Sequence, residues 1–147
     1  MNRKAPYIFE DGNQTRDLIY ISDIVNSILL ALKKRLYEPV AINIGTGKPI
    51  SILELARNLV QRYGTRIQPI ISSDFRRGDV RHCYADNSRA KKLLGFEPKV
   101  SLEEGLEELV RTSRLLEVDS SGQFEESLLE LKAKRLVGVH EQSPLQA

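Results

Sequence analysis

The chain has no tryptophan, one methionine and a single cysteine, Cys83, among its 147 residues. One cysteine cannot close an internal disulfide and suits a reducing compartment. Long apolar runs are missing as well. The longest, residues 28–32, falls far short of the ~20 residues that a membrane-spanning helix needs. Residues 1–12 hold no apolar stretch of the length found in secretory signals, so a cytoplasmic protein without membrane contact is expected. An excess of charge is lacking too: 22 Lys and Arg stand against 20 Asp and Glu, a net +2, too little to imply a nucleic acid partner. There is no phosphate loop of the GxxxxGK type and no GxSxG nucleophile elbow. His82, Cys83 and His140 are not spaced as metal ligands, so no metal site is expected.

What is present is an uneven distribution of charge. Residues 76–92 carry six Lys and Arg against Asp79 and Asp86, while residues 103–130 carry nine acids against Arg111 and Arg114. The basic stretch contains a Gly78-Asp79 turn flanked by Arg76, Arg77 and Arg81. Such a cluster suits an anionic ligand, most simply a phosphate, and it equally suits a solvated loop. Arg16 follows a second turn at Gly12. An arginine fork can hold two oxygens of a diphosphate, and an aspartate can accept two ribose hydroxyls. A structural pairing of Arg16 with Asp17 or Asp23 is the alternative.

Taken in order, residues 5–12 read as a strand closed by a turn. Ser22 or Asp23 is placed to cap a helix whose apolar face is Ile24, Ile28, Leu32 and Leu36. Residues 40–44 read as a buried parallel strand ending in Gly45-Thr46-Gly47. That turn lacks the third glycine of a dinucleotide fingerprint, because Ile50 stands there, so it reads as a tight strand-to-helix connection. Ser51 with Glu54 forms a capping box, and Gly64 stops the helix it opens. Residues 67–71 and 83–85 read as strands. Asp86, Asn87 or Ser88 caps a short helix ending at Gly95. Ser101 with Glu104 is a second capping box. Beyond a polar break at residues 119–122, an amphipathic helix is expected from about 123 to 136, with Phe124, Leu128, Leu131 and Ala133 packing, and residues 140–147 are expected to fray. Strands alternating with helices across short loops give an α/β fold class.

Three blocks then carry a resemblance. FEDGNQTRDLIYISDIV, NIGTGKPISILELA and RRGDVRHCYADNSRAKKLLGFEPKVSLEEGLEELV stand in order over residues 4–112. They resemble the C-terminal half of extended short-chain dehydrogenases/reductases, the NAD-dependent sugar-nucleotide epimerases and dehydratases. EDGNQTRD, GDVRHCYAD and FEESLLELKAKRLV are similar to a branch of dTDP-L-rhamnose 4-epimerase-like proteins. The resemblance implies partial Rossmann-type sheet strands plus a small α/β substrate-binding domain over residues 1–116, with a helical extension over 117–147.

It also implies roles. Arg16, in the QxRD block, and Arg76, first in the RxGD block, would contact the diphosphate of a nucleotide sugar. Asp79 would contact its ribose. Many relatives have a tyrosine where this chain has Cys83, and that contact is in doubt. Arg77 and Arg81 read as surface charge, and Asn43, Gly45 and Gly47 as structural.

The family's glycine-rich NAD loop and its YxxxK proton-transfer pair are both missing. The residues four beyond Tyr7, Tyr20, Tyr37, Tyr63 and Tyr84 are Asp11, Ile24, Ala41, Ile67 and Ser88. No catalytic residue is therefore expected here, and no NAD bound by this chain alone, although full-length relatives use it. An N-terminal NAD-binding half on a separate chain becomes a candidate partner. A non-catalytic nucleotide-sugar-binding or interaction module is the other reading. Too few strands are present to cover residues 40–44, so exposed apolar surface, marginal stability and self-association are expected.

Overall fold

The computed structural model describes residues 4–115 and 123–139. The readings at residues 119–122 and 140–147 lie outside them. In chain order the elements are β1 (Tyr7–Ile8), β2 (Thr15–Asp17), α1 (Ile21–Lys33), β3 (Pro49–Ser51), α2 (Ile52–Arg62) and β4 (Ile70–Ile71). They continue with β5 (Asp74–Arg76), β6 (His82–Cys83), α3 (Ser88–Leu94), α4 (Leu102–Ser113), α5 (Gln123–Ala133) and β7 (Val137–Val139). The fold is mixed α/β. The chain divides into two units, one containing residues 4–14, 52–81 and 123–139, the other Thr15–Ser51 and His82–Leu115.

In the first unit β1 runs parallel to β4, with Tyr7 opposite Ile70 and Ile8 opposite Ile71. The turn after β1 is shaped by Gly12, whose φ is +80° and whose Cβ, if present, would lie 2.8 Å from Leu53 Cβ. Only glycine fits there. The carbonyls of Gly12 and Gln14 accept the N–H groups of Leu53 and Ile52 at 3.0 Å each, which satisfies the open donors at the start of α2. β5 pairs antiparallel with β7, Phe75 opposite Gly138 and Arg76 opposite Val137. The Tyr7 hydroxyl donates to Asp74 Oδ2 at 2.8 Å, and the Tyr7 ring meets Phe9 and Phe124 with centroids 5.5 and 5.7 Å away. Within α5, Leu128 and Leu131 are half-buried, whereas Ala133 is exposed.

In the second unit β2 is central. It pairs antiparallel with β3 and parallel with β6. The core is Ala90, Leu94 and Phe96, with Ile19, Leu30, Ile42, Ile44 and Leu93 packed on it. The capping box at α4 is formed: Ser101 Oγ accepts from Glu104 N at 3.2 Å and Glu104 Oε2 from Ser101 N at 2.8 Å. Gly95 ends α3 in the left-handed conformation, φ +68°.

Several expectations are corrected. α1 begins at Ile21 with Tyr20 as N-cap and no side-chain cap bond. Asp23 is instead buried, and its Oδ2 accepts the N–H groups of Lys99 and Val100, both at 3.0 Å. Two long-range donors outcompete the local cap. The proposed apolar face of α1 is mostly exposed at Ile28, Leu32 and Leu36. Residues 40–44 join no strand among the described residues. A ladder needs a partner, and none is offered there. Residues 67–69 and 84–85 fall outside strands, while β2, β3, β5 and β7 form where none was expected. No helix among the described residues is long and apolar enough to cross a membrane.

Candidate functional site

The Gly45-Thr46-Gly47 turn is organised by one carboxylate. Asp17 accepts the N–H of Thr46 at 2.9 and 3.0 Å, that of Gly47 at 2.8 Å, that of Ala85 at 3.1 Å and the Thr46 hydroxyl at 2.5 Å. Burial pushes the Asp17 carboxyl up, but the Thr46 hydroxyl and the three N–H groups outweigh it and hold the carboxyl below its usual range. Asn87 completes the frame: its Nδ2 donates to Gly45 O at 2.7 Å and its Oδ1 accepts from Gly45 N at 3.1 Å. A Cβ on Gly45 would stand 2.5 Å from Asp17 Oδ2 and 2.6 Å from Ala85 Cβ, so the glycine is there for close approach.

This frame settles how the turn is used. The N–H groups of Gly45, Thr46 and Gly47 are committed to Asn87 and Asp17, and that of Lys48 to Thr46 Oγ1 at 3.1 Å. None is left to cradle a pyrophosphate, and the turn does not fit a dinucleotide. Its role is to hold the end of residues 40–44 against β2 and residue 85.

Arg16 sits next to Asp17 on β2. It lines an open cleft of ≈ 370 Å³ with Asp17, Asn43, Ile44, Gly45, Cys83, Tyr84 and Ala85. Arg16 NH1 donates to Thr15 O at 2.8 Å. Asp17 and Asp23, the two carboxylates offered as its structural partners, each accept backbone N–H groups. Beside the cleft, Thr15 Oγ1 lies 3.0 Å from His82 Nδ1. Cys83 is an exposed free thiol on its wall.

Arg76 and Asp79 belong to the other unit, and there they meet each other. Arg76 Nε donates to Asp79 Oδ2 at 3.0 Å, and NH2 lies 3.0 Å from the same oxygen. The Arg76 guanidinium also stands over the Phe9 ring, 5.1 Å from its centroid. Both side chains are solvent-exposed. Arg81 is more than surface charge: its guanidinium forks onto Glu10 Oε2 and Asp11 Oδ2, each at 2.7 Å. That fork, together with the Asn13 N–H, holds the Asp11 carboxyl well below the usual range. Arg77 contributes through its backbone, its N–H donating to Leu136 O at 2.8 Å. Thus Arg76 and Asp79 are brought together, whereas Arg16 stands in the frame of the second unit. Asp17, Asn87 and Arg81 escaped the sequence reading. The only signal for Asp17 was its place beside Arg16, and Asn87 looked like a helix cap. Among the described residues no group of His, Cys, Asp and Glu is placed to hold a metal ion.

Comparison with known proteins identifies the class. The family described as GDP-mannose 4,6 dehydratase matches residues 1–109. The chain belongs to this family of NAD-dependent nucleotide-sugar epimerases and dehydratases.

Among curated relatives, dTDP-L-rhamnose 4-epimerase of Burkholderia thailandensis is 40% identical over 110 residues, covering 73% of this chain and 29% of the relative. UDP-glucose 4-epimerase of Thermotoga maritima, solved with UDP-glucose, is 38% identical with a TM-score of 0.68, covering 76% of this chain and 36% of that one. UDP-glucuronic acid 4-epimerase of Bacillus cereus, solved with UDP-glucuronic acid and NAD, is 34% identical with a TM-score of 0.67, covering 77% and 36%. The chain therefore spans about a third of the length of the relatives it matches. The NAD that the resemblance implied for full-length members is present in the B. cereus protein.

Proposed function

We propose that this chain is the sugar-nucleotide-binding portion of an NAD-dependent nucleotide-sugar epimerase or dehydratase. Arg16 and Arg76 hold the diphosphate and Asp79 the ribose. The observation that carries this reading is the family match across residues 1–109, with Arg16 on a cleft wall braced by Asp17. Arg76 and Asp79 support it by their chemistry. A guanidinium and a carboxylate already paired at the surface can exchange each other for a phosphate and two hydroxyls at small cost.

Residues 1–116 form the binding part in this reading, and 117–147 an extension that carries α5 and β7. The chain works in the cytoplasm, where its exposed Cys83 stays reduced. Alone it does not turn substrate over, since it has no YxxxK pair to move a proton. An NAD-binding part, on a separate chain or the same one, supplies that step. The missing pair also favours a second reading, a module that binds nucleotide sugars without chemistry.

Calorimetric titration of the full chain with UDP-glucose, UDP-glucuronic acid and a dTDP-sugar tests binding. Arg16→Ala and Arg76→Ala should each cost about 1.5–3 kcal/mol, the range for hydrogen bonds to a charged group, or roughly 10–150-fold in Kd. Unchanged affinities in both variants would sink the assigned roles. Epimerase activity of the isolated chain would overturn the dependence on a second part.

A further inference from the structure

Residues 123–139 lie beyond the family match, which ends at residue 109. This segment buries little apolar surface. Phe124 is 48% exposed, Leu129 68% and Leu136 41%, so its contribution to a core is small. Its backbone contacts go instead to one strand. β7 is the only ladder partner of β5 among the described residues, and β5 is the strand that ends in Arg76.

The chain makes a strained turn to reach that strand. α5 ends in a Schellman motif: the Arg135 N–H donates to Lys132 O at 3.0 Å and the Leu136 N–H to Leu131 O at 2.9 Å. Arg135 takes the left-handed position, φ +55°, where glycine is usual. Leu136 O then accepts the Arg77 N–H at 2.8 Å. Val137, Gly138 and Val139 stand opposite Arg76, Phe75 and Asp74. The Phe75 ring lies on Gly138, where a Cβ would be 2.7 Å from Phe75 Cζ. Phe124 on Tyr7, and Lys4 on Glu125 at 2.5 Å, fasten the start of α5.

Two sets of anchors divide β5. Asp74 is held from within residues 1–109: its carbonyl accepts the Glu10 N–H at 2.6 Å, and Ser72 Oγ accepts its own N–H at 3.1 Å. From Phe75 to Arg77 the interstrand anchors come from β7 and Leu136. The Gly78-Asp79 turn begins there.

We infer that residues 123–139 are a clamp that positions the nucleotide-binding loop, with Gly138 as its positioning residue. The clamp sets the backbone from which Arg76 reaches a nucleotide diphosphate, while the Arg76 side chain still exchanges partners. This rests on the proposed role of Arg76. A segment that serves stability alone is the competing account.

The test is calorimetry with UDP-glucose on full-length variants. Gly138→Ala drives a methyl group into the Phe75 ring and should displace the end of β5, raising Kd roughly 5–10-fold. Phe75→Leu in the same chain removes the ring tip and should restore most of the affinity. In the Arg76→Ala background, Gly138→Ala should cost nothing further, because it acts through Arg76. Leu129→Ala, at an exposed site on α5, should leave Kd within about twofold. Amide exchange at Arg77 and Asp79 should quicken in Gly138→Ala, while the amides of α2 keep their protection.

An unchanged Kd in Gly138→Ala overturns the clamp, as does failure of Phe75→Leu to rescue it, or a full additive loss on top of Arg76→Ala. Loss of protection in α2 together with Arg77 would assign the segment to stability and overturn it too. Should Gly138→Ala not fold, Phe124→Ala, which loosens α5 from Tyr7, carries the same cycle against Arg76→Ala. The Arg76→Ala variant separates the two ideas. Undiminished affinity there sinks the binding reading and the clamp with it, whereas a loss there without one in Gly138→Ala sinks the clamp alone.

Discussion

The two places that carry the candidate binding groups are built on opposite plans. Around Arg16, one carboxylate gathers the N–H groups of residues 46, 47 and 85 and a hydroxyl. Donors far apart in sequence converge on Asp17, so the backbone on which Arg16 stands is set by the unit as a whole. Around Arg76, the polar side-chain contacts are charge pairs near the surface: Arg76 with Asp79, Arg81 with Glu10 and Asp11. The first region is preorganised and the second adjustable.

The strongest way to break the contrast is Asp17→Ala. It leaves three N–H groups and a hydroxyl without their acceptor at once. At about 0.5–1 kcal/mol for each of these half-buried or exposed hydrogen bonds, the loss should reach about 2–4 kcal/mol. Urea denaturation measures it, and a loss under about 1 kcal/mol would mean that Asp17 is no hub.

The pH dependence has a definite sign. The folded carboxyl of Asp17 is held below its unfolded value, which is about 4. Its stabilisation is therefore fully present above about pH 4 and is lost as the pH falls through the lower, folded value. Asp11 has the same sign, so Asp17→Asn should blunt the acid loss without abolishing it.

Next in size is Gly45→Ala. Its new methyl group would stand 2.5 Å from Asp17 Oδ2 and 2.6 Å from Ala85 Cβ. Moving either neighbour disturbs the hub, so about 1–3 kcal/mol should be lost. A wild-type denaturation midpoint would show that the turn can open without harm. The variant sharpens the comparison because glycine in the other region, Gly78, has nothing within 4 Å of a built Cβ.

How much of this was legible in the sequence follows from the same contrast. Features decided within a few residues were readable. The Ser101–Glu104 box and the stops at Gly64 and Gly95 stand where the pattern put them, because each depends on one turn of backbone. The Arg76–Asp79 neighbourhood was readable as a charged turn for that reason. The Asp17 hub was not, since its partners lie 29, 30 and 68 residues away. Strands of two or three residues such as β2 and β6 are too short for an alternation of period two to register. The α1 stripe was visible as apolar, but periodicity gives a face and no information about what lies against it. Residues 40–44 had a strand's composition, and a strand also needs a neighbour.

The smallest expected effect is the stability change for Arg76→Ala and Asp79→Ala, roughly 0–1 kcal/mol each, as for exposed ion pairs generally. The pair is three residues apart, open to water and screened by salt. What it contributes to the fold is replaceable, and the Arg76 stem over Phe9 adds only a weak cation–π contact at such a site. The informative quantity is therefore the gap between two measurements on one variant. Arg76→Ala should leave the urea midpoint within about 0.5 kcal/mol of wild type while weakening UDP-sugar binding by roughly tenfold or more. A residue needed only for folding cannot separate the two, and a spectator would move neither. If Arg76→Ala instead destabilised the chain as much as Asp17→Ala does, the loop would be a second structural hub, and the distinction between the braced and the adjustable arginine would fall.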